Sequence, residues 1–251
     1  MIAKKLFCAA LGAVILIAAF ITFWIARSTD FKFRERAFPA GFRELAFENE
    51  SSPLNPILGP LNAPIRENRL KLSTRDVCDA VFRDSLSPAF GNANGKVQIA
   101  AFLDYRCPYC KTLTKILSEI TVSHSVRVVY KEWPILGNGS VLAARAALAA
   151  GRQGKYLAFH TRLMNSRFIP TSAYIESLAV ELGMNLERLR EDMNGSDVTL
   201  SIQSTAAIAS DLGFSGTPVL VVGRTIVHGA ITRVQLERLI ENEAIQSLIV
   251  C

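Results

Sequence analysis

Hydrophobic positions change their rhythm several times along the chain, and each rhythm predicts a different element. Residues 6–26, LFCAALGAVILIAAFITFWIA, carry no charge over 21 positions. At 1.5 Å per residue such a helix spans roughly 30 Å of hydrocarbon. Lys4 and Lys5 precede it. A secretory signal peptide and an uncleaved anchor both begin this way, but a signal peptide has a shorter apolar region followed by small residues. Here Trp24 stands where cleavage after Ala26 wants a small residue, which favours the anchor. Cys8 falls near the start of the run, where the plain reading is a small apolar residue in lipid.

Residues 31–50, FKFRERAFPAGFRELAFENE, alternate charge and aromatics. Residues 51–65 hold four prolines and read as a linker. Residues 74–88, TRDVCDAVFRDSLSP, predict a short helix with Val77, Val81, Phe82 and Cys78 inward. A globular domain is expected to open near residue 92, with a turn at NANGK. The nearly continuous apolar run VQIAAFLD, 97–104, then predicts a central strand covered on both faces. Leu113, Ile116, Leu117 and Ile120 keep helical spacing, and VRVVYKEWP, 126–134, reads as a second strand.

From 140 to 212 the pattern is helical throughout, with a Thr cap and a Gly stop around TSAYIESLAVELG. TPVLVVG and RTIVHGA then predict two short strands joined at Gly223-Arg224, before a last amphipathic helix, TRVQLERLIENEAIQSLI. The order is that of an α/β sheet with a helical domain inserted in its middle. The expected division is a short N-terminus at 1–5, an anchor at 6–26, a linker and extension at 27–91, a sheet domain at 92–139 and 213–251, and a helical insert at 140–212.

Composition narrows the function. Half of the 251 residues are apolar and a fifth are charged, as in a globular protein. The net charge of +6 is spread over short segments, without a lysine block interleaved with aromatics. That argues against nucleic acid as a partner, while a basic balance suits an anionic membrane surface. Five cysteines, at 8, 78, 107, 110 and 251, are too few for a disulfide-stapled scaffold, and their odd number forbids full internal pairing in a monomer. Cys78 reads as a small buried hydrophobe, with an intermolecular disulfide or a resolving thiol as alternatives. Cys251 reads as an idle terminal thiol, with a covalent dimer as the alternative.

The chemistry centres on FLDYRCPYCK, 102–111. Structural zinc wants four ligands, and neither a second Cys-x-x-Cys pair nor clustered histidines accompany this one; His124, His160 and His228 are scattered. No metal or cofactor is therefore expected. A static disulfide across two residues closes too small a loop to stabilise much. An exchange pair fits better. If the strand ends near Asp104, Cys107 falls at the first turn of the next helix, where free amides and the helix dipole stabilise a thiolate. Pro108 suits the first helical position. Cys110 lies one turn on, placed to resolve a mixed disulfide on Cys107. Tyr109 adjusts packing near the Cys107 sulfur. Pro218, before an apolar run, begins a strand rather than interrupting one.

FLDYRCPYC, KEWPILG, the long helical insert and GTPVLVVG, in that order, resemble the thioredoxin superfamily and more closely the DsbA-like thiol–disulfide oxidoreductases of bacterial envelopes. The resemblance covers roughly residues 92 to 248 and implies a thioredoxin-like fold with an inserted helical subdomain. It implies that Cys107 attacks and Cys110 resolves. Pro218 would be a cis-proline beside the pair, with Thr217 holding the substrate chain through its backbone. It also orients the anchor, with the short N-terminus in the cytoplasm and the catalytic domain in the periplasm of a single-pass inner-membrane protein. One departure stands out: the family's buried acid six residues before the first cysteine is replaced by Ala101. Glu132 and Asp104, or water, are the candidates to move protons in its place; the alternative for Glu132 is a solvent-facing or salt-bridged residue.

The expected partners are cysteine-bearing envelope or secreted proteins and a membrane or soluble redox partner. Disulfide donation is the simplest role. Isomerisation or reduction is the alternative, and isomerases of this kind hold substrates as oligomers. Residues 27–90 would have to supply that contact, yet they show no heptads. A non-enzymatic binding or metal-holding factor is the remaining reading.

Overall fold

The computed structural model describes residues 31–46, 72–246 and 251. Among them seven strands form one sheet: β1 Lys32–Glu35, β2 Arg43–Ala46, β3 Ala89–Gly91, β4 Val97–Leu103, β5 Val126–Glu132, β6 Val219–Val222 and β7 Thr225–His228. Their order across the sheet is β1-β2-β7-β6-β4-β5-β3. Strand β4 runs parallel to β5, with Ile99 opposite Val128, and antiparallel to β6, with Ala100 opposite Val221. The β6–β7 pair is an antiparallel hairpin.

The period of two explains why β4 is apolar at every position but Gln98. Ile99, Ala101 and Leu103 face one core, while Ala100 and Phe102 face another. The first core is covered by α2 Pro108–Ser123 through Leu113, Leu117 and Ile120, and by α8 Arg233–Gln246 through Leu236 and Leu239. The second is covered by α1 Thr74–Cys78, which continues as a π-helical turn at Asp79–Arg83 and buries Val77, Val81 and Phe82. Five helices lie between β5 and β6: α3 Asn138–Gly151, α4 Tyr156–Asn165, α5 Ser172–Glu181, α6 Leu186–Met193 and α7 Ser196–Asp211. Thr171 caps α5, accepting from the Tyr174 amide, and Gly183 stops it at φ +67°. The Ala-rich face of α3 is buried, so its small side chains let neighbouring helices approach closely.

Two expectations are corrected. The sheet does not open near residue 92, because part of the segment assigned to a linker and extension supplies strands. β1 and β2 form an antiparallel hairpin, and β2 pairs in parallel with β7. The charge–aromatic alternation has a physical reason here. Buried Arg43 donates to Thr225 Oγ1 at 2.8 Å, to Asn242 Oδ1 at 2.8 Å and to Glu243 Oε1 at 2.7 Å, and lies 3.5 Å over the Phe33 ring. Arg36 pairs with Glu44 and donates to the Leu212 carbonyl at 2.7 Å.

The second correction concerns two cysteines. Cys78 and Cys251, separated by 173 positions, form an internal disulfide with Cα atoms 5.2 Å apart. Cys78 is thus more than a buried small hydrophobe, and Cys251 is not idle. Arg83, one turn beyond Cys78, donates to the Cys251 carbonyl.

The apolar segment 6–26, Cys8 and the proline-rich stretch 51–65 lie outside the described residues. Among the described residues, no helix is long and apolar enough to cross a membrane.

Candidate active site

Strand β4 delivers the chain to a tight turn in which the Cys107 amide donates to the Asp104 carbonyl at 3.1 Å. Cys107 then serves as the extended N-cap of α2, with Pro108 at the first helical position, where no amide is needed. Cys107 and Cys110 are both free thiols, and both are buried. The Cys107 thiol donates to the Thr217 carbonyl oxygen at 3.3 Å. The Thr217–Pro218 peptide is cis, and the Pro218 carbonyl accepts from the Gly229 amide at 2.9 Å. The backbone amide of Asp104 donates to the Cys110 sulfur at 3.5 Å. Pro108 and Tyr109 stand exposed at the start of the helix.

The two sulfurs have opposite acidities. The Cys110 thiol, the Cys110 amide, the Thr217 side chain and the Tyr109 amide together lower the Cys107 thiol from 9.0 to about 6 against the opposing effect of burial. Burial, followed by the neighbouring Cys107, pushes Cys110 far up. The pair can therefore hold one thiolate, and it resides on Cys107.

The two acids have different surroundings. Asp104 is buried, and its carboxylate is fully engaged. Oδ1 accepts from the Arg106 amide and the Ser140 hydroxyl, both at 2.7 Å; Oδ2 accepts from the Ile135 and Leu136 amides at 2.8 and 2.9 Å. It clamps the cysteine turn to the loop after β5. Glu132 is neither solvent-facing nor paired with lysine or arginine among the described residues. It is buried, with Oε1 accepting from the Tyr105 and Tyr156 hydroxyls, each at 2.6 Å. Among the described residues its Oε2 has no partner. His160, fully buried, places Nδ1 2.7 Å from the Tyr105 hydroxyl and Nε2 3.4 Å from Thr114 Oγ1. Burial and then the Glu132 charge raise both Tyr105 and Tyr156 well above the usual phenol range. Ala101 sits fully buried in the apolar core.

Sequence reasoning missed Tyr105, Thr114, Tyr156 and His160. The available signal was spacing: Tyr156 and His160 are four apart on one helix, and Thr114 stands four beyond Cys110 on another. Large apolar side chains also stand exposed at Tyr109 on α2, at Ile135 and Leu136, whose amides bind Asp104, and at Phe168 and Ile169 after α4.

A thioredoxin-like oxidoreductase from Silicibacter pomeroyi is 41% identical to this chain, with a TM-score of 0.63 over 65% of this chain and 95% of that one. A periplasmic thioredoxin-like protein from Salmonella enterica serovar Typhimurium is 31% identical, with a TM-score of 0.62 over 67% and 96%. Among curated relatives, the Na(+)/H(+) antiporter NhaA 3 of Salinispora tropica is 28% identical over 142 residues, 55% of this chain, and the chain spans only 22% of its length. The family model of the DSBA-like thioredoxin domain matches residues 98–241, from β4 into α8. With more than half of its length inside that model, this chain belongs to the family of the DSBA-like thioredoxin domain.

Proposed function

We propose that the protein is a disulfide donor to cysteines of envelope or secreted proteins, working through Cys107 and Cys110. The observation that carries this reading is the placement of a free Cys107 at the N-terminus of α2 against the Thr217–Pro218 turn, surroundings that lower its thiol to about 6. A stabilised thiolate favours the reduced pair, which makes the oxidised pair a strong oxidant. A client thiolate attacks Cys107 Sγ; the Cys107–Cys110 bond breaks, its electron pair goes to Cys110, and Cys110 takes up a proton. A second client thiolate attacks the client sulfur of the mixed disulfide, and Cys107 departs as a thiolate. The client loses two electrons, the pair gains them, and a redox partner of the compartment, membrane-bound or soluble, removes them. Thr217 borders Cys107, and the exposed Tyr109 and Leu136 beside the cysteine turn suit unfolded client segments.

The Cys78–Cys251 disulfide supports an oxidising, extracytoplasmic compartment, because such bonds persist there and are rare in a reducing cytosol. An anchor at residues 6–26 would hold the domain on the periplasmic side of the inner membrane. The hairpin at residues 32–46 is engaged by β7, which speaks against its serving as an isomerase's free oligomerisation arm.

Equilibration of the protein in glutathione buffers, with thiol trapping and mass spectrometry, tests the direction of electron flow. A potential well above about −180 mV is expected for a disulfide donor; a value near −250 mV or lower would overturn this reading in favour of reduction.

A further inference from the structure

Cys110 must gain a proton when it leaves the disulfide and lose one when the disulfide re-forms, yet it is fully buried and no acid stands at position 101. We propose that Glu132, Tyr105, Tyr156, His160 and Thr114 form the internal proton exchanger for Cys110, with His160 as its essential relay. This inference rests on the proposed exchange chemistry and deepens it.

The hydrogen-bond geometry gives the cluster a direction. Each phenol carries one proton, and both Tyr105 and Tyr156 donate theirs to Glu132 Oε1. The Tyr105 oxygen, 2.7 Å from His160 Nδ1, therefore accepts from an Nδ1–H. With a single ring proton, on Nδ1, the Nε2 atom is then an acceptor, filled by the Thr114 hydroxyl at 3.4 Å. Every link then points from Thr114 toward Glu132, whose second oxygen is buried and unpartnered. Thr114 and Cys110 share the buried face of α2 one turn apart, and Tyr105 follows Asp104, whose amide touches the Cys110 sulfur. One end of the chain, Thr114, thus shares a helix face with the thiol, and its middle link, Tyr105, adjoins the turn that binds the Cys110 sulfur. In this reduced state the chain is set to carry a proton away from Cys110 to Glu132. Returning it reverses each link and protonates Cys110 as it leaves, so the proton balance closes in both directions.

The groups facing Glu132 come from every element around it: Tyr130 on β5, Tyr105 before α2, Thr114 on α2, and Tyr156 and His160 on α4. Tyr130 completes the aromatic wall, its ring 5.0 Å from that of His160. Among the described residues His160 is the basic side chain nearest Glu132, at 3.5 Å, and no lysine or arginine pairs with this carboxyl. The enclosure makes solvent the slower source of that proton.

The test is the rate at which a dithiol peptide reduces the oxidised full chain, divided by the peptide's thiolate fraction, between about pH 6 and 8. In the wild type this corrected rate is expected to change by less than about twofold across the range. In His160→Gln and Glu132→Gln it is expected to fall about tenfold per pH unit as protons must come from solvent. Tyr156→Phe keeps the ring but removes one donor to Glu132, so it carries the test if the other variants fail to fold, and a weaker fall is expected. Unchanged corrected profiles in folded variants would overturn the inference alone. A wild-type protein that exchanges with no peptide would overturn the proposed function as well.

Discussion

The Cys107 sulfur lies 3.3 Å from the carbonyl oxygen of Thr217, a residue 110 positions later. The sheet creates this meeting: β4 leads into Cys107, β6 begins just after Pro218, and the two strands pair with Phe102 opposite Val219. The local surroundings then set the thiol near pH 6 rather than 9. Alkylation of Cys107 in the reduced protein is expected to follow a titration with its midpoint near 6, while Cys110 stays silent through neutrality. Thr217→Val keeps the carbonyl and removes the hydroxyl, so the midpoint should rise. An unmoved midpoint would show that the Thr217 side chain contributes nothing.

The same acidity links redox state to pH. The folded value is below the unfolded value, so its contribution to the reduced form is full above the unfolded value of 9.0 and disappears as pH falls through about 6. Denaturant unfolding of reduced and oxidised protein should therefore show the reduced form gaining relative stability as pH rises from about 6 toward 9. A constant difference across that window would contradict the assignment.

The Cys78–Cys251 bond closes a loop of 173 positions that contains the cysteine pair. In the chain-entropy account so long a loop is worth about 5 kcal/mol. Cys78→Ser and Cys251→Ser should each lower unfolding stability by several kcal/mol, approximately equally, because either removes the same bond. Combining them should cost little more. Additive losses in a double-mutant cycle would refute the bond as the shared cause.

What was legible in the sequence was local. VQIAAFL is apolar at every pitch of the pleat but one, so a strand buried on both faces can be read from it directly. Cys107, Pro108 and Cys110 carry the helix start in their spacing. The hairpin was hidden because Arg43 looks like a surface residue until Thr225, Asn242 and Glu243 arrive from the far end of the chain. The polar cluster was hidden for the same reason. Glu132, Tyr156 and His160 stand on elements whose polar positions suggest a solvent face, and only the packing of α4 over β5 encloses them. The Cys78–Cys251 bond has no spacing signal at all.

Asp104 offers a test of scaffold against chemistry. Its carboxylate receives three backbone amides and the Ser140 hydroxyl. Asp104→Ala leaves these donors without their partner and should cost about 3 kcal/mol or more, since each buried unmet group costs about 1–3 kcal/mol. Asp104→Asn keeps the size and part of the acceptor capacity, so it should recover part of that loss. If Asp104→Ala melts with the wild type but loses exchange activity, the clamp reading is wrong and Asp104 acts in the chemistry.

A fragment beginning at residue 92 contains the cysteine pair and the family match, yet it should fold poorly. It loses β1, β2 and β3, and with β2 and β3 gone, β7 and β5 become open edges. It removes Phe42, Val77, Val81 and Phe82 from the second core, baring Ala100 and Phe102 beneath them. It also deletes Cys78, leaving Cys251 as a free thiol. An exposed strand edge beside uncovered apolar surface promotes association between copies. The fragment 92–251 should therefore melt far below the fragment 31–251 and aggregate on concentration. Within the longer fragment, Arg43→Ala should cost about 3–5 kcal/mol, because it strands Glu243 in a buried position without its cation. Equal melting temperatures for the two fragments would show that the N-terminal strands are an accessory to the sheet, and a mild Arg43→Ala would support the same conclusion from a single side chain.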